Sequence, residues 1–253
     1  MRFSLRRRVL AWVFVVGLAL SVTGSRADTL VADLSEHFIA ITTAFVGTKV
    51  VLFGTTEGRG DVVITVVGPR HDQEVRRKAR VAGIWINRDR LVFKRVPSYY
   101  AVASSGPLDR IAHPDVAARL ELGTAHLKLE PVDAEDFEID EIMAFRAALA
   151  RNKARQGLYT VEPLPVSFVD ERLFRATVYF PANVPPGIYQ VQVFQLRDGQ
   201  VVDAQRSSLV ISKVGLEAEL FDFAREQSAL YGLLAIVTAI ASGWLAGIIF
   251  RRE

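Results

Sequence analysis

Residues 230–250 read Leu-Tyr-Gly-Leu-Leu-Ala-Ile-Val-Thr-Ala-Ile-Ala-Ser-Gly-Trp-Leu-Ala-Gly-Ile-Ile-Phe without one charged side chain, and Arg251-Arg252-Glu253 follow at once. A helix rises about 1.5 Å per residue, so roughly 20 apolar residues cross a hydrocarbon layer about 30 Å thick. A soluble helix of this length would keep a polar face. The run predicts a transmembrane helix over 229–250 with a cytoplasmic tail at 251–253. Everything else must then fold outside the bilayer.

The other end of the chain supports the same orientation. Residues 1–8 are short and basic, 9–22 are apolar, and Ser25 and Ala27 put small residues where a signal peptidase reads. These are the three regions of a secretory signal, so 1–27 is expected to be removed after Ala27. Basic residues stay in the cytoplasm, which leaves residues 28–228 outside the cytoplasm whether or not cleavage occurs. The pI near 9.3 does not signal nucleic acid. Arg2, Arg6, Arg7, Arg8 and Arg26 lie in the acid-free first 27 residues, and the rest holds 26 basic against 28 acidic residues. A nucleic-acid surface needs its basic charge on the folded domain. The chain has no cysteine, which excludes disulfides, thiolate nucleophiles and cysteine metal sites.

Between the two ends the pattern is mainly β. Residues 28–107 hold short runs rich in β-branched and aromatic residues, such as Asp61-Val-Val-Ile-Thr-Val-Val67, punctuated by glycine. Ile84-Trp-Ile86 and Leu91-Val-Phe93 flank Asn87-Arg-Asp-Arg90, where a hairpin turn is expected. Residues 108–156 form a helical insert. Its main helix is predicted over 133–155, acidic at the start, basic at the end and stopped by Gly157, as the helix dipole favours.

Residues 157–213 return to strands. Phe174, Ala176, Val178 and Phe180 alternate with polar neighbours, Asp198-Gly199 is a hairpin signal, and Gly187-Ile188-Tyr189 resembles a tyrosine corner. The expected fold is therefore immunoglobulin-like antiparallel β-sandwich modules with one inserted amphipathic helix and a C-terminal transmembrane helix. The second block is short for a complete sandwich, so it either pairs with strands of the first or forms a reduced one. Residues 214–228 place Leu216, Leu220, Phe223 and Ala224 on one face and are expected to run into the span as a single juxtamembrane helix.

No catalytic motif emerges. The four histidines share no ligand spacing, and no nucleophile elbow, phosphate loop or dinucleotide fingerprint is present. The chain is read as a non-enzyme with no cofactor and no metal. Two features carry a binding reading. Arg76, Arg77, Lys78 and Arg80 lie beside Trp85, a set suited to an anion or an acidic partner. The alternative is a charged, solvated hairpin with Trp85 in the core. In the span, Ala239, Gly243 and Gly247 form a small-residue stripe at GxxxG spacing, which lets two helix backbones approach closely in lipid.

Several blocks also resemble an uncharacterised family of alphaproteobacterial transmembrane proteins. They include Leu34-Ser-Glu-His-Phe-Ile-Ala-Ile-Thr42, Gly60-Asp-Val-Val-Ile-Thr-Val-Val-Gly-Pro69, Val81-Ala-Gly-Ile-Trp-Ile-Asn-Arg88 and Val96-Pro-Ser-Tyr-Tyr-Ala-Val-Ala-Ser-Ser105. Arg155-Gln-Gly-Leu-Tyr159, Phe180-Pro-Ala-Asn-Val-Pro185 and Leu196-Arg-Asp-Gly-Gln200 extend the similarity over nearly the whole chain. The resemblance implies a bacterial inner-membrane protein with a periplasmic domain. It further implies a transporter accessory beside a sulfite-exporter-type permease. The chain is read as a non-enzymatic accessory or interaction subunit, with a periplasmic anion- or solute-binding module feeding a permease as the alternative and a membrane-tethered hydrolase third. The expected partners are the lipid bilayer and either an integral-membrane protein or a second copy of the chain.

Overall fold

The computed structural model describes residues 30–56, 58–81, 83–215 and 223–250. The expected cleavage position at Ala27, residues 216–222 and the expected tail at 251–253 lie outside them. The first seven strands are β1 (Val31–Leu34), β2 (Phe38–Ile41), β3 (Gly47–Thr55), β4 (Asp61–Val67), β5 (Arg70–Val81), β6 (Ile84–Pro97) and β7 (Tyr100–Ser104). Short helices α1 (Leu108–Ile111) and α2 (Pro114–Arg119) follow, then β8 (Glu130–Val132) and the long helix α3 (Ile139–Arg155). The second block supplies β9 (Leu164–Phe168), β10 (Leu173–Pro181), β11 (Gly187–Arg197) and β12 (Gln200–Lys213), and the apolar helix α4 (Ser228–Phe250) ends the chain.

The fold is mainly β, as the sequence indicates. Nine strands form one curled sheet in the order β1-β3-β10-β9-β7-β4-β11-β12-β2. Strands of the two sequence blocks interleave in it: β3 pairs with β10, and β4 with β11. The second block thus completes its layers with strands of the first. Neighbours run antiparallel except β7 with β9 and β2 with β12, which are parallel. Side chains join the two ends of the curl. The backbone N–H of Leu30 donates to Asp203 Oδ2 at 2.7 Å, and that of Ala32 to Gln205 Oε1 at 2.6 Å. Gln205 Nε2 donates back to the Ala32 carbonyl at 2.8 Å. Polar groups on β12 therefore stand in for a missing strand along the edge of β1.

Phe174, Ala176, Val178 and Phe180 all turn inward, and the interposed Arg175, Thr177 and Tyr179 are exposed, as alternation predicts. At the β11–β12 hairpin, Asp198 (φ 52°) and Gly199 (φ 76°) both take left-handed backbone, which matches the twist of the flanking strands. The Tyr189 hydroxyl donates to the Pro185 carbonyl at 2.6 Å, tying the start of β11 to the turn before it.

Three expectations are corrected. The β5–β6 turn lies at Gly83 instead of 87–90. Val81 pairs with Ile84 and Gly83 supplies the positive φ (+87°), while Asn87–Arg90 continues as strand. Helix α3 starts at Ile139 instead of 133, because Asp133 has left-handed backbone (φ 50°) and Glu138 is extended. Its C-terminus follows the sequence: Gly157 N–H bonds the Ala154 carbonyl and Leu158 N–H that of Lys153, the pairing of a Schellman motif. Finally, residues 223–226 are helical, but a bend at Gln227 separates them from α4. The juxtamembrane segment and the span are not one unbroken helix.

Strands β4 and β7 are buried on both faces. On one side Tyr99 stacks on Phe180 at 5.0 Å between ring centres and meets Tyr189 at 5.8 Å. The other side carries Tyr100, whose hydroxyl donates to the Glu121 carbonyl and accepts from Gly123 N–H, and whose ring meets Tyr159 edge-on. Burial pushes the phenols of Tyr99, Tyr100, Tyr159 and Tyr189 above their ordinary value of about 10.

Two outcomes follow. Folding favours the neutral phenols, so their contribution is fully present below pH about 10 and is lost as the pH rises beyond it. Thermal melts followed alongside phenolate absorbance should show the midpoint falling together with delayed ionisation, and a midpoint unchanged across that range would refute this. Gly199→Ala should destabilise the β domain by about 1–3 kcal/mol in urea unfolding, because left-handed backbone and a steric clash act together. Its added Cβ would sit 2.4 Å from His113 Cδ2. A wild-type midpoint would show that the turn relaxes freely.

Candidate functional site

Strand β4 passes into β5, and β6 returns into β7. Because β4 pairs with β7 and β5 with β6, the four strands are one long hairpin. The joint is bridged by Gly68 N–H to the Tyr99 carbonyl and Ser98 N–H to the Pro69 carbonyl, each at 2.8 Å. Its base lies in the core of the large sheet and its upper half leaves that sheet. Val75, Leu91 and Phe93 are buried beneath α3, which packs on β5, and β8 extends β6 at Val92↔Val132. Beyond Val75 and Leu91 the ribbon continues to the turn at Gly83, about seven residues or roughly 23 Å at strand rise.

The expected basic residues all lie on this projecting half, but they do not converge. Directly opposed residues of an antiparallel pair share a face. Arg76↔Arg90, Lys78↔Asn87 and Arg80↔Trp85 occupy one face, and Arg77↔Asp89 and Ala79↔Ile86 the other. The register shift between Arg77 and Lys78 leaves Arg88 as an extra residue on β6. Arg76 pairs with Glu74 on its own strand. Arg77 bonds Asp89 at 2.6 Å and Glu141 of α3 at 3.0 Å, and its guanidinium lies 5.6 Å from the centre of the Phe145 ring. Those two carboxylates hold its pKa above the ordinary arginine value. Arg77 therefore fastens the ribbon to the helix. Arg80 Nε donates to the carbonyl of Gly83 at 3.3 Å, and Lys78 has no ion-pair partner among the described residues.

Trp85 is not in the core: it is 65% exposed, between Ile84 at 68% and Ile86 at 43%. Tyr99, whose approach to Arg76, Arg77 and Trp85 would have made an anion pocket, is buried among the core aromatics. The sequence placed Ile84 and Ile86 in a strand and Arg88 in a turn, and none of the three among the binding residues. Gly83, with a β-branched residue on either side of the Ala82-Gly83 pair, was the available signal for a turn that exposes them.

The second candidate surface is α4. It is the one helix among the described residues long and apolar enough to cross a membrane, and none of its 20-residue span is buried. Thr238 and Ser242 satisfy their hydroxyls on the carbonyls of Leu234 and Thr238, which suits an apolar surround. Ala239 lines a shallow groove with Ala235, Thr238 and Ser242, and a Cβ built on Gly243 or Gly247 meets nothing within 4 Å. The small-residue stripe is thus open for contact.

A family model described as "Putative transmembrane protein (Alph_Pro_TM)" matches residues 29–252. The chain belongs to this family. The match takes in the β domain and nearly all of the C-terminal segment, so the domain and the apolar helix are inherited as one unit. No curated protein and no solved structure matches the chain. Among the described residues no three His, Asp or Glu side chains gather as a metal-ligand set.

The arrangement yields one check. Arg77→Ala and Glu141→Ala should each speed amide exchange along residues 75–81 and the first turn of α3, with the double variant no faster than the slower-closing single one. Fully additive effects would show that the ion pair does not couple the two elements.

Proposed function

We propose that this family member is a non-enzymatic accessory subunit, anchored in the bacterial inner membrane, that presents its β domain to an integral-membrane partner. The observation that carries this reading is a wholly apolar, unburied helix joined in one chain to a β domain. A span that served only as an anchor has no need of small residues on one stripe. Ala239, Gly243 and Gly247 supply such a stripe, and close backbone packing is what drives association in lipid. The basic start of the chain and Arg251-Arg252 support a periplasmic β domain and a cytoplasmic C-terminus, with residues 1–27 as an export signal. The partner class that fits is a permease of the sulfite-exporter type, as the resemblance implies.

The test is affinity capture from native inner membranes through a C-terminal tag, which should be reachable only from the cytoplasmic face of sealed vesicles. Wild-type protein should bring down a stoichiometric integral-membrane protein or a second copy of itself. Gly243→Ile with Gly247→Ile should reduce that recovery at least about tenfold, since bulky side chains would hold the backbones apart. Unchanged assembly in the double variant would remove the stripe from the interface. A chain recovered alone would sink the accessory reading.

A further inference from the structure

We propose that the tip of the β5–β6 ribbon docks on anionic lipid headgroups of the same bilayer that α4 crosses. Residues 75–88 hold Arg76, Arg77, Lys78, Arg80 and Arg88 and no Asp or Glu. The nearest acids, Glu74 and Asp89, are engaged by Arg76 and Arg77. Lys78, Arg80 and Arg88 form the collar around the turn, and among the described residues only Arg88 of these comes within 4 Å of a carboxylate, at 3.9 Å from Asp89. At the apex Ile84, Trp85 and Ile86 face solvent. Trp seeks the membrane–water interface, where its ring sits at headgroup level.

The order of these groups along the ribbon matches the order of layers in a leaflet. Arg80 is opposite Trp85, and Lys78 is two residues further back, about 7 Å at strand rise. Apolar side chains at the acyl boundary would therefore place the cations at the depth of the phosphates. A protein partner fits less well. A stable protein interface covers about 800 Å² on each side, more than the end of a two-stranded ribbon offers, whereas a lipid surface demands no shape match. The bilayer is also always near, because α4 tethers the domain to it, so docking is an intramolecular event at high effective concentration.

The experiment uses the full chain, which contains no cysteine, with Ile84→Cys carrying an environment-sensitive fluorophore. It is reconstituted in nanodiscs of zwitterionic lipid alone and of zwitterionic lipid mixed with phosphatidylglycerol. Docking predicts blue-shifted emission and shielding from an aqueous quencher in the anionic discs only, reversed by high salt. Each basic side chain near an anionic surface contributes about fivefold, so Lys78→Gln, Arg80→Gln and Arg88→Gln together should lower the docked-to-free ratio about 100-fold. Trp85→Ser, an exposed change that leaves the core untouched, should weaken docking in the same discs. Equal emission in both lipids overturns the proposal, as does docking that survives the triple variant. Shielding seen in native membranes but absent from anionic discs that hold this chain without other membrane proteins also overturns it, in favour of a protein partner.

Discussion

The fold depends on burying a pair of strands from both sides. β4 and β7 have no solvent face, so two separate layers must cover them and every polar group between must be satisfied. Tyr99 and Tyr100 meet both demands with adjacent residues. Their rings point to opposite faces, and each hydroxyl bonds a backbone carbonyl, Tyr179 for one and Glu121 for the other. Tyr159 and Tyr189 extend this on the two sides by bonding Pro97 and Pro185. Aromatic rings provide large apolar area and their hydroxyls provide register, which explains how the domain holds without a disulfide.

The same two strands are the root of the projecting ribbon, so its direction is set by the core. A loop of comparable length would lose orientation within a few residues. Here the ladder continues through the Gly68–Tyr99 and Ser98–Pro69 bonds, and α3 braces one face through Arg77. The exposed end is then a rigid extension of the most buried part of the molecule. The other surface of interest, α4, is linked to the domain through a bend at Gln227. The molecule therefore offers one surface mounted on the core of the sheet and one on the apolar helix.

Local chemistry was readable from sequence wherever a side chain and its partner lie within a few residues. The alternation from Phe174 to Phe180, the Asp198-Gly199 turn, the Tyr189–Pro185 bond and the Gly157 stop are of this kind. Pairings between distant segments were not readable. Nothing near β3 marks it as the neighbour of β10, and nothing near Arg77 names Glu141 as its partner 64 residues away. β5 was hidden for another reason. Its Arg, Lys and Glu side chains are poor strand formers, and neither face of its outer half is apolar enough to show alternation. The strand exists because β4 leads into it and β6 pairs with it. The alternative that put Trp85 in the core rested on residue type alone, and its position beside the turn is what exposes it.

The seam between β1 and β12 joins residues 173 positions apart. Closing so long a loop is slow, and until it closes β1 and β3 can gain no help from the last strand. During synthesis the edge of β1 is a template for pairing with other chains until Asp203 and Gln205 arrive to cover it. β12 ends at Lys213 and α4 starts at Ser228, so the curl closes only as the membrane helix is being made. A chain truncated before residue 203 would lack the groups that cover that edge. Completion of the sheet and arrival of the anchor are nearly one event.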